Sequence, residues 1–137
     1  MRFQKTTEYA IRVMVFLAAH EEEVFSAARL HEILQIPYKY LGRLMNHLTR
    51  AGFAEVRYGK CGGYRINSYR QPIYLYQIIG LVEGLENYDR CVLGFADCSD
   101  DNPCPMHHVW LKFRGDLREM IFNTTLEDLE KPAAMAR

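Results

Sequence analysis

The sequence predicts a mainly α-helical chain with one small β-hairpin, a winged helix-turn-helix followed by a long C-terminal helix. Three observations carry this expectation. Apolar residues recur at helical spacing in successive segments before residue 52, two of them separated by a tight turn. A glycine-rich hairpin comes next. A long amphipathic stretch then occupies residues 106–122.

The first helix is expected to start near Thr6 or Thr7, either of which can cap it. Tyr9, Val13, Phe16 and Leu17 repeat on one face, and His20-Glu21-Glu22-Glu23 is a polar stop. Ser26 is a cap for a second helix that holds Ala27, Leu30, Ile33 and Leu34. Gln35-Ile36-Pro37 makes the turn, with Pro37 suited to the first position of the third helix. That helix runs to about Arg50 on a stripe of Leu41, Leu44, Met45 and Leu48. Gly52 can adopt the left-handed conformation that closes it. Two strands, Phe53–Tyr58 and Tyr64–Ile66, flank Gly59-Lys60-Cys61-Gly62-Gly63, whose glycines allow a tight tip.

Beyond Tyr69-Arg70-Gln71-Pro72 a fourth helix places Leu75, Ile78, Ile79 and Val82 on one face, with Gly84 near its end. Residues 87–105 have neither helical nor strand period, and an aperiodic loop of that length is usually functional or disordered. The last helix begins at Met106 and lines up Val109, Trp110, Phe113, Leu117, Met120 and Ile121. Leu126 and Leu129 lie in a tail expected to fray.

The chain has 137 residues, enough to bury a core, and an apolar fraction of 49% with 25% charged residues. No stretch is apolar for long enough to span a bilayer, so no membrane partner is expected. The N-terminus reads as the start of an amphipathic segment and not as a signal peptide, and the expected location is cytoplasmic. Thiols there stay reduced, which favours metal or redox roles for clustered cysteines over disulfides.

The net charge of zero hides an asymmetry. Residues 1–70 carry 11 Lys and Arg against 6 Asp and Glu, and residues 71–137 carry 6 against 11. A basic half beside an acidic half is expected where only the first half meets a polyanion. On the third helix Lys39, Arg43, Asn46 and Arg50 share the side opposite the leucine stripe. These side chains contact phosphates and the acceptor edges of guanine and adenine. Tyr40 adjoins them, and Arg57, Lys60 and Arg65 place further charge on the hairpin. Double-stranded DNA is the expected partner. Tyr38, Tyr40, Tyr58 and Tyr64 are expected as core or backbone-phosphate contacts, since a duplex offers no free base face. Residues 1–72 are therefore read as the DNA-binding unit. Residues 73–137 supply a connecting helix, the loop 87–105, the helix 106–122 and the tail.

The loop holds Cys91-x6-Cys98-x5-Cys104-x2-His107, soft donors set among Asp, Asn and Pro. Zinc sites favour tight cysteine pairs, and no C-x-x-C pair exists here. A loose loop can wrap a larger object, so an iron–sulfur cluster is favoured over zinc or thiol redox sensing without metal. His107 is the first candidate for the fourth ligand, and His108 is its competitor. Cys61 in the hairpin tip reads as a free thiol. No phosphate loop or nucleophile elbow is present, so the chain is not read as an enzyme. An enzyme or electron carrier using the cluster is the remote alternative.

Several segments together carry a resemblance to a known family. They are Thr6-Thr7-Glu8-Tyr9-Ala10-Ile11-Arg12, Tyr40-Leu41-Gly42-Arg43-Leu44, Cys61-Gly62-Gly63-Tyr64-Arg65-Ile66, the three-cysteine loop and Thr125-Leu126-Glu127-Asp128-Leu129. The chain resembles the IscR/NsrR family of bacterial iron–sulfur transcription regulators over nearly its whole length. The resemblance implies a homodimer, formed through the helix at residues 106–122, that sets two recognition helices on a palindromic operator. It implies a transcription regulator, most often a repressor, that responds to iron–sulfur status, oxidants or nitric oxide. It implies Cys91, Cys98 and Cys104 as cluster ligands. The fourth is His107 with a two-iron (2Fe-2S) cluster. Alternatively, as in the nitric-oxide sensors, it is a carboxylate donated across the dimer with a four-iron (4Fe-4S) cluster, a position matched by Glu8. Two features depart from the family pattern: the six-residue gap from Cys91 to Cys98, and Cys61 where a glycine or small polar residue is usual.

Overall fold

The structure is a computed structural model that describes residues 2–68 and 71–130. In chain order its elements are α1 (Lys5–Ala19), α2 (Ala27–Leu34), α3 (Tyr38–Arg50), β1 (Ala54–Arg57), β2 (Gly63–Ile66), α4 (Leu75–Val82) and α5 (His107–Asn123). Short 3-10 turns lie at Glu86–Tyr88 and Glu127–Leu129. The mainly helical architecture with a small antiparallel hairpin is as expected.

Helix α1 is the hub. It buries Ala10, Val13, Met14 and Leu17 against Leu30, Leu34, Ile36 and the α3 residues Leu41, Leu44, Met45 and Leu48. The α3 stripe is therefore what fixes that helix to α1, and truncating Leu44 to alanine would cost about 2–5 kcal/mol. Ile73, Ile78 and Leu126 belong to the same core, so the apolar interior continues across residue 72. A second cluster joins Leu75, Ile79, Tyr88 and Ile121, with Phe3 and Ile11 packed against it.

The caps differ from expectation in two places. Helix α1 begins at Lys5 with Gln4 as its cap, so neither Thr6 nor Thr7 plays that part. The Gln4 N–H donates to Glu83 Oε2 at 2.8 Å, and this tie starts the helix earlier. Thr7 is instead fully buried, and its hydroxyl oxygen has no hydrogen-bond partner among the described residues. Pro37 is the cap of α3, with ψ 129°, and not its first helical residue. The chain reverses two residues earlier at Gln35, which takes the left-handed φ of 57°. His31 Nδ1 donates to the Ile36 carbonyl at 2.7 Å and holds the turn. Ser26 caps α2 as expected, accepting from the Arg29 N–H.

The hairpin pairs Glu55 with Arg65 and Val56 with Tyr64; the first strand is shorter than the sequence suggested, and the second starts one residue earlier, at Gly63. Its outer edge is pinned to the segment before α2. Phe25 and Tyr64 exchange both backbone hydrogen bonds, at 2.8 and 2.7 Å. Gly63 is required there, because a Cβ would stand 2.5 Å from the Phe25 carbonyl carbon. After α5 the chain returns antiparallel to the start of α4. Leu75 N–H donates to the Thr124 carbonyl and Leu126 N–H to the Ile73 carbonyl, both at 2.9 Å. Leu126 is fully buried, so the tail is docked as far as Leu129, and residues 131–137 lie outside the described residues. No helix among the described residues is long and apolar enough to cross a membrane.

Candidate metal centre and nucleic-acid interface

The loop between α4 and α5 is aperiodic, but it is held at both ends. Trp110 Nε1 donates to the Arg90 carbonyl at 3.0 Å, and Arg114 donates to the Asp89 carbonyl at 2.8 Å. Arg118 pairs with the Asp89 carboxylate. These bonds fix the residues just before Cys91 onto α5. At the other end, Cys104 and His107 meet at the start of α5, where the His107 N–H donates to the Cys104 carbonyl at 3.0 Å.

The folded loop brings the three cysteine sulfurs within 4.8 Å of one another. The donors form two pairs. Cys91 Sγ lies 3.6 Å from Cys104 Sγ, and Cys98 Sγ lies 3.3 Å from His107 Nδ1. The other nitrogen of His107 stands 2.8 Å from Asp100 Oδ1. His107 is buried, with 8% of its surface exposed. His108 is exposed and stands edge-on to His107, ring centroids 5.2 Å apart. Within one chain Glu8 is not brought to the sulfurs; it pairs with Arg2 and Lys5, each at 3.7 Å.

Burial pushes the Cys91 thiol up, but hydrogen bonds from the backbone at Phe95 and Leu93 and from Cys104 and Cys98 outweigh it, bringing the thiol down to about 7. A backbone hydrogen bond at Cys104 pulls the Cys98 thiol down. Burial, the hydrogen bonds with Cys104 and Cys91, and the charge of Cys104 together leave it raised. Asp100 is held below its ordinary range by its hydrogen bond to His107, and by the charge of that ring.

A tetrahedral ion at a metal–sulfur distance of about 2.3 Å sets two thiolates about 3.8 Å apart, so the Cys91–Cys104 spacing suits ligands of one metal atom. A hollow of about 450 Å³ lies beside the donors, lined by Cys91, Cys98, His107, Arg90, Trp110 and Arg114 among others. That is room for a multi-atom centre, and two guanidinium groups border it to offset thiolate charge. The residues present thus fit an iron–sulfur centre in donor chemistry and in space. Asp100 was missed in the sequence, where it counted only as loop polarity. A carboxylate seven residues before a candidate histidine ligand was the available signal.

On α3, Lys39, Tyr40, Arg43, Asn46 and Arg50 are all exposed, opposite the buried leucine stripe. Gly42 is exposed with open space around it. His47 shares this surface, lining a hollow of about 490 Å³ with Lys39, Tyr40 and Arg43, and was not singled out in the sequence. Arg57 and Lys60 are exposed on the hairpin, but Arg65 is not free to the same degree. It faces Glu55 across the strands at 3.6 Å with 19% of its side chain exposed, because that register sets the two side by side. Tyr58 is 92% exposed, so of the two expected roles, core residue or backbone-phosphate contact, the first does not hold for it.

The α5 stripe divides. Val109, Phe113 and Met120 are exposed. Trp110 and Ile121 are buried within the single chain, and Leu117 is half-buried. Trp110, on the stripe of the helix from which a dimer contact is expected, is therefore covered within the single chain, its indole hydrogen-bonded onto the loop.

A basic recognition helix, a hairpin wing and a soft-donor loop packed on one core define a winged-helix DNA-binding transcriptional regulator. The family described as Rrf2, iron-dependent transcriptional regulator, matches residues 3–132, and the chain belongs to it. It is similar to the HTH-type transcriptional regulator IscR of Vibrio campbellii, 26% identical over 132 residues that cover 96% of this chain and 78% of that one. It is also similar to the HTH-type transcriptional repressor NsrR of Streptomyces coelicolor, 28% identical over 121 residues, 87% of this chain and 76% of that one. Among solved structures it is similar to CymR, the global cysteine regulator of B. subtilis, with a TM-score of 0.74 and 25% identity over 95% of this chain and 96% of that one. T. potens IscR superposes with a TM-score of 0.71 and 26% identity over all of this chain and 93% of that one. The relatives are regulators of transcription and not enzymes.

Proposed function

We propose that the chain is a transcriptional repressor whose grip on a palindromic operator is set by an iron–sulfur cluster held by Cys91, Cys98, Cys104 and His107. The observation that carries this reading is the hollow of about 450 Å³ bordered by Cys91, Cys98 and His107, with the four donors gathered in two pairs. Four donors in two pairs are what a two-iron centre divides between its metals. Asp100 holds His107 in the tautomer that leaves Nδ1 free to ligate. The names borne by relatives in Vibrio campbellii and Streptomyces coelicolor support the reading. When bound, a cluster supplies a centre that iron shortage, oxidants or nitric oxide can remove or alter.

The DNA-facing residues are Lys39, Tyr40, Arg43, Asn46, Arg50, Arg57 and Lys60, with Arg65 in a supporting position beside Glu55. A second copy seats on the exposed face of α5 at Val109, Phe113 and Met120, which places two recognition helices on successive half-sites. Glu8 of the partner subunit remains the alternative fourth ligand, and His108 is disfavoured by its exposure.

A second reading is a zinc-structured regulator of the same fold. The tight sulfur triangle favours it, because all three lie within 4.8 Å, as around one ion. One experiment separates the two. Protein purified without oxygen is analysed for iron, acid-labile sulfide, zinc and visible absorption, and its operator affinity is measured before and after metal removal. The cluster reading expects coloured, iron-loaded protein, and loss of colour in Cys98→Ala. Colourless protein with one zinc per chain sinks it.

A further inference from the structure

We propose that Glu83 and Tyr88 are positioning residues that couple the cysteine site to the DNA-reading helix. The proposal rests on the reading that occupancy of the site controls DNA affinity.

Glu83 closes α4, and its single carboxylate is shared by two distant segments. One oxygen accepts the hydroxyl of Tyr88, three residues before Cys91. The other accepts the Gln4 N–H at 2.8 Å, at the entry to α1. A second contact runs beside the first, for the Tyr88 ring packs edge-on against Phe3, centroids 6.1 Å apart. Tyr88 itself is buried, its bond to Glu83 is half-buried, and the Glu83–Gln4 bond lies at the surface. Burial pushes its hydroxyl well above the ordinary tyrosine range, and the hydrogen bond to Glu83 and the charge of that group add to this, so it stays a donor at neutral pH.

Each end of this junction leads to a functional surface. Towards the thiols, Asp89 and Arg90 are clamped on α5 by Arg114, Arg118 and Trp110, so Tyr88 and Cys91 share one braced segment. Towards DNA, Gln4 and Thr6 line the same hollow as Lys39, Tyr40, Arg43 and His47. In the next turn of α1 the Tyr9 ring lies 5.9 Å from that of Tyr40. The first turn of α1 is thus one wall of a hollow whose other wall is the basic side of α3, and the two helices touch at the Tyr9–Tyr40 ring pair. A shift of Cys91 on loading or losing a metal centre is passed through Tyr88 and Glu83 to the α1 wall, along packed and hydrogen-bonded groups that together border a hollow of about 270 Å³.

The test compares wild type, Tyr88→Phe and Glu83→Ala as full-length protein made without oxygen. Tyr88→Phe keeps the ring against Phe3 and deletes only the hydroxyl. Three quantities are read for each: iron per chain, thermal midpoint, and the ratio of operator affinities between loaded and metal-free protein. Hydrogen exchange at the Gln4 amide is followed in both states. A coupled wild type is expected to show a ratio on the order of 5–150, with protection at Gln4 that changes on loading. Both variants are expected to load iron normally while the ratio collapses towards one. A merely structural part would lower stability, or both affinities together, and leave the ratio intact; that result overturns the proposal. A wild type that carries no iron, or whose ratio is already one, removes the underlying reading and the coupling with it.

Discussion

Asp100 and His107 form a carboxylate–imidazole pair at 2.8 Å, and the pair decides which ring nitrogen is left for Cys98 at 3.3 Å. A carboxylate on Nε2 keeps the proton there and presents the lone pair of Nδ1 towards the thiol. The side chain of Asp100 is itself 85% exposed, so its part is to orient and not to bury charge. His107 bonded to Asp100 distinguishes it from His108, which offers the same ring on the exposed side of the same turn.

Replacing Asp100 with asparagine is expected to weaken metal retention by about 10–100-fold while leaving the fold intact. Chelator competition against wild type measures this. The carboxyl is depressed by His107, so its hold is complete above the ordinary carboxylate range and is lost as pH falls through the depressed value. Unchanged retention at neutral pH would show that His107 needs no second partner.

In metal-free protein Cys91 is expected to be the loop cysteine that alkylates first, with a rate rising through a midpoint at about 7. Cys98, whose thiol is raised, is expected to lag. The thiolate of Cys91 is favoured by its hydrogen bonds, so their contribution to stability is present above the unfolded thiol value and disappears as pH drops through about 7. Iodoacetamide labelling against pH, resolved by peptide mass, reads all three loop cysteines at once. The assignment is wrong if Cys98 labels ahead of Cys91.

Arg43→Ala and Lys60→Ala are expected to fail differently. Loss of Arg43 is predicted to cost about 1–3 kcal/mol on the operator and little on unrelated duplex. Loss of Lys60 is predicted to weaken both and to lower the salt slope by about 1. Fluorescence anisotropy over a salt series measures both quantities. Equal loss on both DNAs for Arg43→Ala would rule out base reading by that residue.

Gly63→Ala is expected to detach the wing from α2. The added Cβ would meet the Phe25 carbonyl carbon and oxygen at 2.5 Å, and both are backbone atoms that cannot swing aside. A cost of about 1–3 kcal/mol in denaturant unfolding follows from such overpacking. Wild-type stability would mean that the Phe25–Tyr64 bridge is dispensable.

Phe113→Asp is expected to shift the protein to monomer, because 61% of Phe113 is open on α5 among the described residues. Trp110→Ala is expected instead to destabilise the monomer, by about 3–5 kcal/mol for a buried indole. Sedimentation velocity and thermal melts distinguish the two effects. A Phe113→Asp variant that still sediments as wild type would move the interface elsewhere.

Much of the helical layout was legible in the sequence because its causes are local. The Leu41, Leu44, Met45 and Leu48 stripe, the Ser26 cap and the left-handed Gly52 each depend on neighbours within a few residues. The errors share an opposite origin. Thr6 and Thr7 are plausible caps, but Glu83 reaches Gln4 from 79 residues away and starts α1 sooner. The setting of Arg65 is equally non-local, since strand register places it beside Glu55. Trp110 belongs to an amphipathic stripe, and only the folded loop shows that Arg90 takes its indole N–H.

By itself the sequence determined the order of helices, hairpin and cysteine loop, the basic face of α3 and the chemical softness of the donors. Periodicity, capping and side-chain type require nothing beyond the local chain. Tertiary structure alone decided that the loop's sulfurs converge, that His107 and not its neighbour meets Cys98, and that a single carboxylate joins the loop to α1. These arrangements arise where distant segments pack together, and no spacing along the chain encodes which side chains will then face each other.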